Sequence, residues 1–299
     1  MRPVPCVAML RLVIPKGSLE RATLQLFEDA DLPVQRSSEV DYKATIDDPR
    51  IDEVRILRPQ EIGRYVADGL FDLGITGRDW VRETDSEVVE LTELHYSKAT
   101  ARPIRMVLAV AADAPYASAA DLPSGVRVHT EYPNLTRRFL GERGIDAEVS
   151  LSYGATEAKI PEIADAVVEI TETGRALRAA GLKVIDEILT SYTLLIANRT
   201  AYADADKRRA MEQLMVLLAG ALDARGKVMV KLNVDGPNLP AVIDLLPALK
   251  APTVSQLFGQ DAYAVETVVA KRTINTLIPE LVEAGATGIL ELPISKIVG

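Results

Sequence analysis

The stretch from Ala164 to Gly181, ADAVVEITETGRALRAAG, joins carboxylates to a hydroxyl-rich turn that ends in glycine. Asp165 and Glu169 interrupt an apolar, β-branched run of Ala164, Ala166, Val167, Val168 and Ile170. Their even spacing sends both side chains from one face of an extended strand. A polar turn follows, Thr171-Glu172-Thr173-Gly174. A helix then opens at Arg175 and stops at Gly181 with a left-handed cap. Strand, small polar turn and helix N-terminus together present backbone N–H groups to an anion. Glu169 and Glu172 would repel a bare phosphate. They suit a ligand that also carries hydroxyls, or a bridging divalent cation, and a ribose phosphate with Mg²⁺ satisfies both. The same spacing also fits a buried strand ending in an ordinary turn with solvated acids.

Three further turns have related chemistry. Leu10 to Ile14 reads as a strand, followed by Pro15-Lys16-Gly17-Ser18, with Ser18 placed to cap a helix from Leu19. Val54 to Leu57 is a strand broken at Arg58-Pro59, with a helix from Gln60 to Gly69. Phe71 to Ile75 is a buried strand containing Asp72, and Thr76-Gly77-Arg78-Asp79 turns it toward a short helix near Trp80. Gly74, Thr76 and Gly77 allow close backbone approach to a ligand, and Asp72 could satisfy a hydroxyl or an amine. Thr130 to Asn134 is the third turn. Each alone also reads as a plain strand-to-helix connection. Together they all follow strand C-termini, the side on which open α/β sheets bind ligands.

The positioning elements follow the same pattern. Val88–His95, Arg105–Ala111, Val126–His129, Val149–Leu151, Val184–Leu189 and Tyr192–Ala197 read as strands, and Leu135–Gly141 as a helix. Strands alternating with helices predict α/β architecture with largely parallel sheets. Asp204 to Ala224 is a long amphipathic helix with Met211, Leu214, Met215, Leu218 and Leu222 on its apolar stripe. From Lys227 the order is strand, helix (Asn238–Leu249), strand, strand, helix (Asn275–Ala284), strand. This β-α-β-β-α-β pattern is the ferredoxin-like split, read as a separate regulatory module, with a purely structural assembly domain as the alternative.

The chain has 299 residues, 48% hydrophobic and 26% charged, with net charge −9. The acidic balance argues against a non-specific nucleic-acid binder, which needs a basic surface. It leaves room for an anionic small-molecule substrate in a locally positive pocket. The single cysteine, Cys6, excludes an intramolecular disulfide and a multi-cysteine zinc site. His95 and His129 lie in no metal-ligand spacing and read as surface or core residues. Met1 to Leu10 lacks a signal-peptide layout, and no apolar run reaches the roughly 20 residues of a membrane span. The expected location is the cytoplasm, with no membrane partner.

The order Ile-Pro-Lys-Gly, Asp-Leu-Gly-Ile-Thr-Gly-Arg-Asp, Thr-Glu-Tyr-Pro-Asn-Leu-Thr and Ala-Asp-Ala-Val-Val-Glu-Ile-Thr-Glu-Thr-Gly, followed by the β-α-β-β-α-β tail, resembles the long-form ATP phosphoribosyltransferases over nearly the whole chain. The resemblance implies two α/β lobes of periplasmic-binding-protein pattern with the active site in their cleft. Lobe I would comprise residues 1–104 and 193–224, lobe II residues 105–192, and a regulatory domain residues 225–299. The implied reaction joins N1 of ATP to C1 of phosphoribosyl pyrophosphate, with Mg²⁺ as cofactor. Histidine would inhibit through the tail, and homo-oligomers would exchange between dimers and hexamers.

The resemblance also implies roles for residues. Thr171, Glu172, Thr173, Gly174, Arg175 and Ala176 would hold the 5′-phosphate. Asp165, or Glu169 at the position where many relatives carry Asp, would meet the ribose hydroxyls, with Glu169 beside the metal and both, like Glu157, on phosphoribosyl pyrophosphate. Lys16, Gly17, Arg58, Asp72, Gly74, Thr76 and Gly77 would face ATP or the pyrophosphate, with Lys16, Asp165 and Glu169 as the catalytic set. Asn233, Thr253 and Ser255 would contact the histidine effector. Three positions depart from the family's common pattern. Ser18 replaces Arg, Gln60-Glu61-Ile62-Gly63 replaces an Asp-Ile-Pro run, and Ala176 replaces a hydroxyl residue. A two-lobed solute-binding protein with a fused sensory domain, and a catalytically silent regulatory subunit, are the competing readings. The first would need export. Lys16, Asp72, Asp165 and the Thr-Glu-Thr-Gly turn argue against the second.

Overall fold

The computed structural model describes residues 9–96, 103–247 and 251–299. Cys6 and the expected helix end at Leu249 lie outside them. The chain divides into two compact units, Met1–Met215 and Val216–Gly299.

The first unit opens with β1 (Leu10–Pro15), α1 (Glu20–Asp29), β2 (Lys43–Ala44), β3 (Ile51–Leu57), α2 (Pro59–Ala67), β4 (Leu73–Gly77), α3 (Arg78–Glu83) and β5 (Val88–Leu94). It continues with β6 (Ile104–Ala111), β7 (Val126–Thr130), α4 (Pro133–Glu142), β8 (Ala147–Leu151), β9 (Ala166–Thr171), α5 (Arg175–Ala179) and β10 (Leu182–Ser191). The chain then returns through β11 (Thr193–Asn198) and α6 (Arg199–Ala203) into α7 (Ala205–Ala224). Two sheets result, ordered β2-β3-β1-β4-β11-β5 and β10-β6-β9-β7-β8. These are the two α/β lobes of the periplasmic-binding-protein pattern.

Each sheet is mixed where a largely parallel one was expected. β1 pairs with β3 and β4 in parallel, and β7 with β8 and β9. β11 runs antiparallel to β4 and β5, and β6 antiparallel to β9 and β10. The reason is the chain path. It passes between the sheets after β5 and again after β10, and the first strand after each passage, β6 and then β11, runs against the direction of the βαβ strands.

The central strands β1, β4 and β11 are buried on both faces because helices cover them. Val13, Ile62, Val66, Val81, Leu194 and Ile196 form the apolar layer between the first sheet and its helices. Met106, Leu108, Val128, Tyr132, Phe139 and Val168 do the same in the second. Gly74 has a packing role here. A Cβ on it would sit 2.8 Å from Val66 and 3.1 Å from Ile62 and Val13, so its absence lets α2 lie close on β4. Ser18 does not cap α1. Leu19 is the N-cap residue, and Glu20 Oε2 accepts from the Gly17 N–H at 3.3 Å.

The second unit carries β12 (Lys227–Asp235), α8 (Leu239–Leu245), β13 (Thr253–Gln256), β14 (Ala262–Ala270), α9 (Ile274–Glu283) and β15 (Ala286–Pro293). Its sheet order is β13-β14-β12-β15, all antiparallel, as the ferredoxin-like split requires. Val228, Val230, Leu232 and Val234 face the helices with Val265, Leu277 and Leu281. The alternate residues of each strand form the opposite face.

Candidate active site

Within the first unit, the turns at the C-terminal ends of the strands converge. Pro15 pairs with Leu57 at the ends of β1 and β3. That register places Lys16, Gly17 and Arg58 together, and a Cβ on Gly17 would lie 3.8 Å from Arg58 Nη1. Gly17 needs its glycine because its φ is +88°. The Lys16 ammonium stands 4.7 Å over the Tyr42 ring, a cation–π contact that holds it at the edge of the sheet.

Thr76 and Gly77 end β4. The Thr76 hydroxyl is fully buried and donates to the Pro59 carbonyl at 2.8 Å, tying β4 to the start of α2. A Cβ on Gly77 would fall 2.1 Å from Asp79 Oδ1, so this glycine makes room for a carboxylate of its own chain. Asp79 is buried. Ser191 Oγ donates to its Oδ1 at 2.7 Å and Tyr132 Oη to its Oδ2 at 2.9 Å. Desolvation raises the Asp79 pKa despite both bonds. Trp80 stacks on Tyr132 at 4.4 Å between centroids.

These groups wall a cavity of about 280 Å³ whose lining includes Gly77, Trp80, His95, Tyr132, Ile170 and Tyr192. His95 meets the Tyr192 ring edge-on at 5.4 Å. Thr171 and Glu172 form part of the same wall. A second cavity of about 340 Å³ shares Trp80 and adds Gln60, Glu131, Leu151 and Tyr153.

The Thr171–Gly174 turn closes β9 as its sequence suggested. The Gly174 N–H donates to Thr171 Oγ1 at 2.7 Å, and the Arg175 N–H to Thr173 Oγ1 at 3.4 Å. Gly174 sits at φ +71° and opens α5. Arg175 and Ala176 are exposed on its first turn. Arg105 pairs directly with Thr171 across β6 and β9, which puts a second cation beside the turn. Its guanidinium is 3.4 Å from Glu187.

Glu169 is half-buried on β9 near Glu131 and Glu157. Burial and the repulsion of those two carboxylates raise its pKa, while a hydrogen bond from Thr156 opposes the rise. Three carboxylates with excess negative charge are hard oxygen donors of the kind a hydrated Mg²⁺ accepts. Among the described residues no group of three or more His, Cys, Asp or Glu side chains is placed to cage a metal by itself.

Asp165 and Asp72, expected beside the substrates, stand apart from this convergence. Each precedes the first residue of its strand, at the end opposite the turns. Arg127 N–H and Nε donate to Asp165 Oδ2 at 2.9 and 3.1 Å, and Arg127 Nη2 to Oδ1 at 2.8 Å. Arg11 N–H and Nε donate to Asp72 Oδ2 at 2.9 and 3.3 Å, and Lys207 Nζ to Oδ1 at 2.8 Å. The same clamp is thus built once in each lobe. Asp165 does share a strand face with Glu169, but four residues of β-strand separate them by about 13 Å.

Sequence reasoning missed Tyr132, Trp80, His95, Glu131, Thr156 and Arg105. Their signal was the strand-end position of Thr130–Asn134 and Thr76–Asp79. Which strand ends are neighbours depends on sheet order, and sequence spacing does not supply it.

In the second unit the residues expected to meet an effector share the sheet face turned away from the helices. Asn233 pairs with Ala264, and Ala264 with Ser255, so these form one cross-strand row. Thr253, Glu266 and Lys231 form the next, with Lys231 and Glu266 paired at 2.7 Å. Asn233, Thr253 and Ser255 are all exposed.

Two family descriptions match the chain, "HisG: ATP phosphoribosyltransferase" over residues 58–220 and "HisG, C-terminal domain" over residues 224–296. A protein named ATP phosphoribosyltransferase from Desulforudis audaxviator is 47% identical over 97% of this chain and 99% of its own length. One of the same name from Pelotomaculum thermopropionicum is 46% identical with the same coverage. Among solved structures, the ATP phosphoribosyl transferase (HisG:HisZ) complex from Thermotoga maritima contains a chain with TM-score 0.60 and 27% identity, covering 71% of this chain and 97% of that one.

Proposed function

The chain belongs to the ATP phosphoribosyltransferase family, and from that premise we propose which of its residues carry the transfer. The reaction joins N1 of ATP to C1 of phosphoribosyl pyrophosphate and releases pyrophosphate, the first step of histidine biosynthesis. One observation carries the assignment: Thr171 and Glu172 of the turn line the aromatic cavity, and Glu169, on the same strand end, stands near Glu131 of the adjoining cavity.

The adenine ring enters the cavity between Trp80, Tyr132, His95 and Tyr192, where flat apolar walls favour stacking. The 5′-phosphate of the second substrate lies against Thr171–Ala176, with Arg175 and Arg105 supplying positive charge. Glu169 accepts from the ribose hydroxyls, and Glu157 flanks it. Lys16, Gly17 and Arg58 face the phosphates from the other lobe. Gly74, Thr76 and Gly77 shape that lobe through packing, so their contribution to ATP binding is indirect.

Breaking the C1–O bond builds positive charge on the ribose and negative charge on the departing pyrophosphate. Lys16 and Arg58 stabilise the latter electrostatically. Glu169 lies on the side where the ribose charge develops. Adenine N1 bears no proton in the neutral base, so the site needs no general base, and holding the substrates in line supplies much of the rate. Mg²⁺, when bound near Glu169, neutralises pyrophosphate charge.

Histidine binds the open sheet face at Asn233, Thr253 and Ser255, and the enzyme works in the cytoplasm as dimers and hexamers. The deciding experiment incubates the full chain with ATP, phosphoribosyl pyrophosphate and Mg²⁺ and follows the ultraviolet change of ribosylated adenine. Product formation that Glu169→Gln depresses at least tenfold is expected. A well-folded protein giving no product would sink the reading. Ser255→Ala and Thr253→Ala should each weaken inhibition by added histidine without lowering the uninhibited rate.

A further inference from the structure

Glu169 is the end of a row of side chains that runs back to Lys159. Lys159 Nζ contacts Ser152 Oγ, Ser152 Oγ and Thr156 Oγ1 are 3.1 Å apart, and Thr156 bonds the Glu169 carboxylate. Thr156 is fully buried and Ser152 nearly so. Ser152 is fixed in turn by its backbone N–H, which donates to the Thr130 carbonyl at 2.8 Å, the last residue of β7.

The two ends set the direction of every proton in this chain. An ammonium has donors only, and an ionised carboxylate accepts only. Lys159 must therefore donate to Ser152, Ser152 to Thr156, and Thr156 to Glu169. A hydroxyl midway in such a row has no free choice of rotor. Each bond polarises the next, with a cation at one end and an anion at the other. Glu169 thus takes the Thr156 hydroxyl as its side-chain donor, beside the backbone N–H of Ile170.

We propose that Thr156, backed by Ser152 and Lys159, is a positioning residue that holds the Glu169 carboxylate in the orientation that receives the ribose of phosphoribosyl pyrophosphate. Thr156 does not touch substrate. It acts through Glu169, against the repulsion of Glu131 and Glu157, which would otherwise swing that carboxylate away. The inference rests on the ribose role of Glu169 proposed above.

The test is steady-state kinetics on the full chain with both substrates varied, together with the melting temperature. Thr156→Val keeps the side-chain shape and removes the donor. Loss of one hydrogen bond to a charged group predicts a rise of roughly tenfold in KM for phosphoribosyl pyrophosphate. KM for ATP should stay within about twofold, a split that general loosening of the lobe would not give. Thr156→Ser restores the hydroxyl and should restore KM. Lys159→Met leaves both hydroxyls in place, removes only the distant cation, and should shift the same constant by a smaller factor. It carries the test if Thr156→Val does not fold. In a Glu169→Gln background Thr156→Val should add little, because the two act as one unit. Unchanged KM for phosphoribosyl pyrophosphate in Thr156→Val and Lys159→Met, with Glu169→Gln impaired, overturns the positioning role alone. An unimpaired Glu169→Gln overturns the ribose assignment and the inference with it.

Discussion

Tyr132 donates its hydroxyl to Asp79 across 2.9 Å, joining the loop after β7 in one lobe to the start of α3 in the other. The bond is buried, and Ser191, at the end of β10, takes the second Asp79 oxygen. One carboxylate thus gathers three elements beneath the aromatic cavity. α3 is held from its other end as well, since Glu83 accepts from the backbone N–H groups of Asn134 and Leu135 at 2.9 Å each.

Tyr132→Phe keeps the ring and its stack on Trp80 but strips one Asp79 oxygen of its partner. An unsatisfied buried acceptor costs about 1–3 kcal/mol. Urea denaturation followed by circular dichroism should show a loss of that size. KM for ATP should rise more than KM for phosphoribosyl pyrophosphate, because the adenine wall loses its anchor. A variant as stable as the parent would mean that Asp79 is already satisfied by Ser191 and the backbone N–H of Trp80.

Gly74 and Gly77 stand three residues apart on β4 and are glycine for different reasons. At Gly74 a methyl group would press on Val66, Ile62 and Val13, all packed side chains. Gly74→Ala should therefore destabilise the protein by about 1–3 kcal/mol through overpacking. Substrate KM values of the folded fraction should stay close to those of the parent. A large rise in KM for ATP with unchanged stability would place a ligand at this glycine.

The contrast explains what could be read before the fold. Strand-turn-helix punctuation, the β-α-β-β-α-β tail and the Thr171–Gly174 turn were legible, because each depends on local periodicity or on residues a few positions apart. The direction of strands was not, since reversal of β6 and β11 comes from the chain's passage between two sheets. Nor were the partners of acids. Asp165 and Glu169 look equivalent on one strand face, yet Arg127 lies next to one and Glu131 next to the other. That difference comes from β7 lying beside β9 in parallel, 38 residues away in sequence for the Arg127–Asp165 pair. Glycine type was legible and its purpose was not, as Gly74 shows.

Gly174, like Gly17, is a glycine whose backbone conformation itself matters at the site. Its φ of +71° lies in the left-handed region, where an alanine costs roughly 1–2 kcal/mol. The nearest atom to an added Cβ is Arg178 Nη1 at 2.8 Å, the far end of a flexible side chain that can move aside. The cost therefore falls on the turn. Gly174→Ala should disorder the Thr171–Gly174 bond and raise KM for phosphoribosyl pyrophosphate severalfold, with a smaller effect on ATP. Equal KM values for the parent and the variant would show that the turn does not hold phosphate.

Asp72 yields a prediction in pH. Its side chain is only 4% exposed. Desolvation pushes its pKa up, but hydrogen bonds from the Arg11 backbone and side chain and from Lys207 outweigh that, so the folded pKa lies below the ordinary value of 3.8. A carboxyl depressed in the folded state binds protons more readily when unfolded. Its stabilisation is complete above the unfolded pKa and is lost as pH falls through the folded one. Asp72→Asn has no such proton to take up. The parent should be the more stable protein at pH 7, and its advantage over Asp72→Asn should shrink below about pH 4. Urea midpoints measured from pH 7 down to pH 3 would trace that convergence. A stability gap that stays constant with pH would show that the contribution of Asp72 is one of shape and not of charge. The clamp lies at the strand end opposite the cavities, so folded Asp72→Asn should keep the parent's KM for ATP. A raised KM there would return Asp72 to the substrate side.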